Sequence, residues 1–202
     1  MSKKKNIIIL VLVFVLLIGG ASVLYTQLSK EDAPDRLLKQ GEQSKNSEEG
    51  QNDRSGEEQQ LTKAYNFAVY DASGNKVNLS DYIGKPIVLN FWASWCGPCQ
   101  SEMPDFHEKY LELGEEIHFL MVNMTGGRET LSSAKAFISE KGYSFPVFYD
   151  TDSDAATTYS VYSLPTTYFI DAEGYLIAQA TGAISADTLQ KGIDMIMTLK
   201  SF

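Results

Sequence analysis

The only two cysteines of this 202-residue chain lie three residues apart, in the sequence Trp-Cys-Gly-Pro-Cys at residues 95–99. A C-x-x-C pair can be half of a zinc site, a structural disulfide or a redox pair. A disulfide across two residues closes a very small loop, so it stabilises a fold little by the chain-entropy account. The pattern therefore favours redox chemistry, in which one thiol attacks a disulfide and the other resolves the product.

Two predicted elements position this pair. Residues 87–92 form an apolar, β-favouring run that predicts a buried strand, and residues 97–113 carry apolar residues at helical spacing. The first turn of a helix presents unpaired N–H groups and a partial positive charge, which favour a thiolate. Cys96 is therefore the predicted nucleophile, and Cys99, one turn deeper, is the predicted resolving thiol. Pro98 suits the first turn, where no N–H is needed.

Glu102 is the most informative residue after the cysteines. Together with Cys99, Met103 and Phe106 it falls at the i, i+3, i+4 spacing of one helix face. A carboxyl group on a buried face is costly to ionise and has a raised pKa. We interpret Glu102 as a group that exchanges protons with the cysteines. The alternative is a solvated acid at the edge of the apolar stripe.

Three stretches resemble the thioredoxin family: residues 91–99 (FWASWCGPC) its active-site stretch, residues 164–167 (LPTT) its cis-proline loop, and residues 182–183 (GA) the glycine near its last strand. The resemblance covers about residues 61–202. More narrowly, the chain resembles the extracytoplasmic, membrane-tethered TlpA/ResA-like branch. Asn90 stands where cytoplasmic thioredoxins have a buried aspartate, and Glu102 stands where the branch has an acid. The Gly-Pro dipeptide departs from the Glu-Pro of the best-known reductant of the branch.

This resemblance implies an α/β thioredoxin fold, with a mixed central sheet flanked by helices, an N-terminal β-hairpin and a central insertion. It also implies a cis bond before Pro165, close to the active-site disulfide, and pairing of the preceding backbone with the substrate chain. No cofactor is expected besides a redox-active Cys96–Cys99 disulfide. The residues expected to contact the substrate are Trp95, Gly97, Pro98, Leu164, Pro165 and Thr166. Trp95 is expected to cover the reactive sulfur, and Trp92 to lie in the core.

Periodicity and turn residues predict the remaining elements. Alternating residues 65–69, a turn at 73–75 and residues 76–79 predict the hairpin, and Gly142 is expected to end a helix over 129–141. Ser185 is expected to cap the last helix. The other predicted elements are strands at 117–123, 145–149, 166–170 and 175–180, and a helix at 152–159.

The N-terminal part has a different composition. Three lysines precede a long apolar run that reaches Tyr25, which predicts a transmembrane anchor with the following domain outside the cytoplasm. We predict a cytoplasmic basic tip at 1–5, the anchor at 6–25, a disordered acidic and polar linker at 26–60, and the thioredoxin-like domain at 61–202. The alternative is a signal peptide cleaved after small residues 19–21. Either way the domain is exported.

Several other classes of site are disfavoured. The formal net charge of −9, with no Gly-rich phosphate loop and no basic patch, argues against a nucleic-acid partner. His107 and His118 lack the spacing to complete a zinc site with the cysteines, so no metal is expected. Asp150, Asp152 and Asp154 alternate like a calcium loop but lack its glycine and closing glutamate, so they are expected to start a helix.

The sequence therefore predicts an extracytoplasmic thiol-disulfide oxidoreductase, monomeric, acting on protein thiols and disulfides. The Gly-Pro dipeptide resembles reducing thioredoxins at about −270 mV, which predicts a reductant that is re-reduced by a membrane thiol carrier. By resemblance the clients include apocytochrome c during cytochrome c maturation. The alternatives are a disulfide-forming oxidase and a tethered copper-delivery module. A thiol peroxidase would need Thr or Ser at position 93, where this chain has alanine.

Overall fold

The computed structural model describes residues 36–39 and 61–198. One mixed sheet contains nine strands in this part of the chain. In chain order the strands are β1 Leu38–Lys39, β2 Thr62–Lys63, β3 Ala68–Tyr70, β4 Lys76–Asn78, β5 Ile87–Trp92, β6 His118–Asn123, β7 Val147–Tyr149, β8 Thr166–Ile170 and β9 Tyr175–Thr181. The sheet order is β1-β9-β8-β5-β6-β7-β3-β4, and β2 also pairs with β9.

Strand β5 lies at the centre and leads directly into the cysteines. It pairs parallel with β6 and antiparallel with β8. All six of its residues are buried, because layers cover both faces of the sheet at this position. Side chains alternate between the faces, so Trp92 belongs to the core that contains the cysteines and Phe91 to the core on the opposite face. The prediction that Trp92 is a core residue is confirmed.

Four α-helices follow the predicted pattern: α1 Gly97–Leu113, α2 Leu131–Lys141, α3 Asp154–Thr158 and α4 Ala186–Thr198. A 3₁₀ helix spans Leu79–Tyr82. Helix α2 begins after Thr130, whose side chain accepts from Ser133 N, and ends at Gly142 in the left-handed region at φ 69°. Helix α4 passes so close to β8 that a Cβ at Gly192 would lie 2.2 Å from the Phe169 ring. Any side chain larger than that of glycine would therefore clash with the Phe169 ring at this position.

The predicted N-terminal hairpin is formed by β3 and β4, with Val69 opposite Val77. Gly74, at φ 85°, supplies the left-handed residue of its turn. Helix α2, β7 and α3 lie between β6 and β8 along the chain. The mixed sheet with flanking helices confirms the predicted fold class.

The edge strand β9 holds a segment that the sequence does not predict. Leu38 pairs with Gln179 and Lys39 with Ala178, and the half-buried Leu37 packs against the core that contains the cysteines. At these residues the chain differs from the predicted disordered linker, because the outer edge of β9 offers unpaired backbone groups and a nearby apolar surface. The predicted anchor at 6–25 lies outside the described residues. Among the described residues, no helix has the length and apolar character needed to cross a membrane.

Candidate active site

Cys96 and Cys99 form a disulfide at the junction of β5 and α1, with an S–S distance of 2.08 Å. Cys96 is the N-cap residue of α1, and the Cys99 backbone N–H donates to its Sγ at 3.2 Å. This places the first sulfur at the N-terminus of a helix, as the sequence predicts. In the reduced state the same N–H group is placed to stabilise a Cys96 thiolate.

The two cysteines differ in their access to solvent. Cys96 is 4% exposed, whereas Cys99 is fully buried. The neighbouring Gly97 and Pro98 are exposed, and a Cβ added at Gly97 would meet open space. An incoming sulfur can therefore approach Cys96 but not Cys99, which agrees with their predicted order of action.

Glu102 is buried one turn further along α1, with 2% of its surface exposed. Its Oε1 accepts from Asn90 Nδ2 at 2.8 Å, and its Oε2 accepts from the Ile184 backbone N–H at 2.9 Å. Burial raises the pKa of Glu102 to about 7, with Asp105 adding to the effect, although both hydrogen bonds oppose it. The carboxyl group can therefore gain or lose a proton near neutral pH.

Asn90 connects this carboxyl group to the strand that follows the proline loop. It is fully buried on β5, and its Nδ2 also donates to Thr167 Oγ1 at 3.0 Å. Among the described residues, its Oδ1 has no hydrogen-bond partner. Asn90 therefore donates a hydrogen bond to Glu102, and its side-chain oxygen accepts none from the described residues.

The Leu164–Pro165 peptide bond is cis, as the family resemblance implies. The Pro165 carbonyl accepts from Gly182 N at 2.8 Å, so the loop is attached to the end of β9. The Thr166 hydroxyl donates to the Ser163 carbonyl at 2.8 Å, and Leu164 is half-buried between the two cores. The loop is therefore held at both ends, and its contact with a substrate stays a prediction.

Sequence reasoning missed Glu129, which fixes the loop in front of the cysteines. Glu129 is 2% exposed, and its Oε2 accepts from both the backbone N–H and the hydroxyl of Ser94, each at 2.8 Å. Its Oε1 accepts from Ser133 Oγ at 2.9 Å, and Gln100 Nε2 donates to the Ser94 carbonyl at 2.6 Å. Every polar group of Ser94 is thereby engaged two residues before Cys96. We call Ser94, Gln100, Glu129 and Ser133 the loop clamp.

Arg128 was also missed, and it lies over the side chain that precedes Cys96. Its guanidinium carbon is 4.5 Å from the centroid of the Trp95 ring, and Trp95 is 45% exposed. Trp95 therefore has an arginine against its ring, and its covering of the reactive sulfur stays a prediction. The sequence signal was the tight turn Gly126-Gly127-Arg128-Glu129, but periodicity does not tell which loop such a turn approaches.

The two histidines have structural surroundings. His107 Nε2 accepts from the Ser144 backbone N–H at 3.2 Å, and the His118 ring contacts the Tyr82 ring with centroids 5.3 Å apart. Burial, with Lys85 nearby, lowers the pKa of His118. In the described part of the chain, no cluster of three or more His, Cys, Asp or Glu side chains is arranged to hold a metal ion.

The three alternating aspartates serve the local structure. Asp150 accepts from the backbone N–H groups of Ala155 and Ala156, at 3.2 and 2.8 Å, and so begins α3 as predicted. Asp152 accepts from the Tyr70 hydroxyl, and Asp154 from the Ala68 backbone N–H. They link α3 to the hairpin.

Comparison with known proteins gives one family and several relatives. Residues 61–179 match the model of the AhpC/TSA family. A thiol-disulfide oxidoreductase ResA from Bacillus thuringiensis is 37% identical over 137 residues, covering 66% of this chain and 76% of the relative. Two solved structures also match. The exposed lipoprotein thioredoxin of Streptococcus pneumoniae is 34% identical, with TM-score 0.57 over 64% of this chain and 99% of that one. A DsbE-type thiol:disulfide interchange protein from Chlorobium tepidum is 30% identical, with TM-score 0.59 over 66% and 94%.

Proposed function

Since this chain belongs to the AhpC/TSA family and is a thiol-disulfide oxidoreductase, we propose that it reduces disulfides in exported proteins on the extracytoplasmic side of the membrane. The observation that carries the proposal is the disulfide at the start of α1, in which Cys96 is 4% exposed and Cys99 is fully buried. The Gly-Pro dipeptide between them supports the reducing direction.

The reaction proceeds by two thiol-disulfide exchanges. The Cys96 thiolate attacks one sulfur of a client disulfide, forms a mixed disulfide and releases the other client sulfur as a thiolate. The Cys99 thiol loses its proton and attacks Cys96 Sγ, which releases the second client thiolate. Two electrons pass to the client, whose two sulfurs take up protons, and the Cys96–Cys99 disulfide is the oxidised product.

Glu102 takes the proton that Cys99 must lose in the second exchange. A carboxyl group with a pKa of about 7 is close to the ambient pH, which is the condition for efficient proton transfer in either direction. Asn90 and the Ile184 backbone N–H hold the carboxyl group in place through their hydrogen bonds. When the enzyme is re-reduced, the same group returns the proton.

Client and donor are both thiol proteins in this proposal. The client chain would lie across Trp95, Gly97 and Pro98 and pair with the backbone beside Pro165, between Leu164 and Thr166. No cofactor is needed, because the disulfide carries both electrons. A membrane thiol carrier would supply them, and the enzyme would act as a monomer. By the family resemblance, the setting we propose is cytochrome c maturation, with the haem-binding cysteines of apocytochrome c as clients.

The N-terminal segment would keep the domain at the membrane. We propose that residues 6–25 form a retained anchor with the N-terminus in the cytoplasm; release after signal cleavage is the alternative. The exposed lipoprotein among the structural relatives supports a location outside the cytoplasm. N-terminal sequencing of the protein purified from membranes distinguishes the two, since a mature chain that begins near Ser22 would contradict the anchor.

Equilibration of the purified full-length protein with dithiothreitol buffers of graded potential tests the direction. We expect a midpoint near −270 mV, as for reducing thioredoxins, whereas a value less negative than about −200 mV would make the protein a disulfide-forming oxidase. Cys96→Ser should abolish exchange, and Cys99→Ser should accumulate a mixed disulfide with the client. An active Cys96→Ser variant would contradict the mechanism.

A further inference from the structure

Arg128 lies over the ring of the residue that precedes the proposed attacking cysteine. Trp95 directly precedes Cys96, and the guanidinium carbon of Arg128 lies 4.5 Å from its ring centroid. Arg128 is the only arginine between residues 61 and 198. The chain as a whole has a formal charge of −9, so Arg128 is a positive charge in a predominantly acidic protein.

The position of Arg128 is determined by the backbone that carries it. Gly126 and Glu129 form an isolated antiparallel bridge with two backbone hydrogen bonds of 2.9 Å, which makes Gly127 and Arg128 the central residues of a tight turn. Gly127 has φ 58°, a conformation that suits glycine at the first central position. Glu129 ties the turn to Ser94 through the loop clamp. Both the arginine and the tryptophan are therefore attached to fixed backbone.

Among the described residues, no neighbouring carboxylate neutralises the charge of Arg128. Within the part of the chain that the structure describes, the ion pair found joins Lys109 and Glu112, and no carboxylate lies at ion-pair distance from Arg128. The Arg128 side chain is exposed, and a guanidinium presents five N–H donors in a fixed fork. Those donors match the two oxygens of a carboxylate.

Resting on the proposed function, we propose that Arg128 and Trp95 select protein clients that carry an acidic side chain next to the target cysteine. The client carboxylate accepts from the guanidinium while the neighbouring client sulfur reacts at Cys96. Arg128 is thus a specificity-determining residue, and the preferred substrate is an acidic polypeptide segment around a disulfide.

Three synthetic disulfide peptides test this inference with the reduced full-length protein. They differ only in the residue beside each cysteine, which is Glu, Gln or Lys, and the measurement is the second-order rate constant of reduction. In about 0.01 M salt we expect the Glu peptide to react about two- to five-fold faster than the Gln peptide, and the Lys peptide to react slowest. In about 1 M salt, where the screening length is about 3 Å, the differences should disappear.

Substitutions assign the preference to one side chain. Arg128→Gln should abolish the ratio between the Glu and Lys peptides, Arg128→Glu should reverse it, and Arg128→Lys should retain part of it. Lys135→Gln is the matched control, because Lys135 also lies over an aromatic ring, that of Tyr149, but belongs to helix α2. This variant should keep the wild-type ratio.

The outcomes separate this inference from the reductase proposal. Equal rates for the three peptides, or an unchanged ratio in Arg128→Gln, would overturn the role of Arg128 and leave the reductase intact. If the wild-type protein reduced none of the peptides, the proposed reductase activity would be contradicted, and the inference about Arg128 would then be wrong as well.

Discussion

Two buried carboxyl groups near the disulfide have the same exposure and different surroundings. Glu102 and Glu129 are each 2% exposed. Glu102 accepts two hydrogen bonds, one from the side chain of Asn90, whereas Glu129 accepts three, two of them from Ser94. At Glu102 burial outweighs the hydrogen bonds, so its pKa rises to about 7. Glu102 is the group that moves a proton in the proposed mechanism, whereas Glu129 holds the loop that contains Ser94.

The comparison shows that burial of an acid does not by itself define its role. A carboxylate that satisfies the backbone of a loop contributes to structure, because its removal leaves buried donors unpaired. A carboxyl group with few donors, close to a reactive thiol, contributes to chemistry. Four predictions would break or sharpen this distinction.

The largest effect should come from Glu102→Gln on catalysis. Loss of a group that transfers protons typically slows a reaction by about a hundredfold or more, so the resolving step should slow by that order. The wild-type pH–rate profile should show a step near pH 7 that the variant lacks, whereas Glu129→Gln should keep the step. A step that survives in Glu102→Gln would remove the difference between the two acids.

The pH dependence of stability should show the second effect. The pKa of Glu102 is about 7 in the folded protein and about 4.5 when unfolded, so the unfolded chain releases this proton first. The contribution of Glu102 to the unfolding free energy is absent below pH 4.5. It becomes increasingly unfavourable between pH 4.5 and 7 and reaches its full destabilising value above pH 7. Between pH 4 and 8, oxidised Glu102→Gln should gain about 3 kcal/mol in unfolding free energy relative to wild type. Urea unfolding at both pH values measures this, and a constant difference would contradict the raised pKa.

Glu129→Ala should destabilise the oxidised protein by about 2 kcal/mol, because the partly buried N–H and hydroxyl of Ser94 lose their acceptor. Urea unfolding at pH 7 measures the loss. Ser94→Ala is the matched partner in a double-mutant cycle, and a coupling energy near zero would show that the loop clamp does not act as a unit.

The smallest effect should come from Asn90→Ala, at about 1 kcal/mol of stability for the lost hydrogen bonds. Because the hydrogen bond from Asn90 lowers the pKa of Glu102, its loss should move the step in the pH–rate profile to higher pH. Thr167→Val is the control, since it removes the other partner of Asn90 and leaves the bond to Glu102. A downward shift in Asn90→Ala would contradict the assigned geometry.

The local sequence pattern was sufficient to predict the burial of Glu102, one of the two carboxyl groups. Glu102 lies three residues after Cys99 on a helix whose bounds, Gly97–Leu113, follow from apolar spacing, so its burial could be predicted. The strands β5 and β8 were likewise predictable, from apolar runs next to a proline or a turn. The cis bond before Pro165 required the family resemblance, because few X-Pro bonds are cis.

The other carboxyl group could not be predicted because its partner is distant in the chain. Glu129 and Ser94 are separated by 35 residues and meet only after β5 and β6 have paired. The contact between Arg128 and Trp95 depends on the same pairing and on a turn of four residues. The strand at Leu38–Lys39 also depends on a distant partner, since nothing in its own composition favours β-structure.

The pairing of β1 and β2 with β9 limits how a client can bind. Extended peptides often bind proteins by β-augmentation, in which the peptide becomes one more strand at an open sheet edge. Along β9, residues 175, 176, 178 and 179 already have partners from the N-terminal segments. A client cannot extend the sheet at those residues without displacing a strand of the enzyme itself. The enzyme's own N-terminal segments therefore block strand addition at those residues of β9.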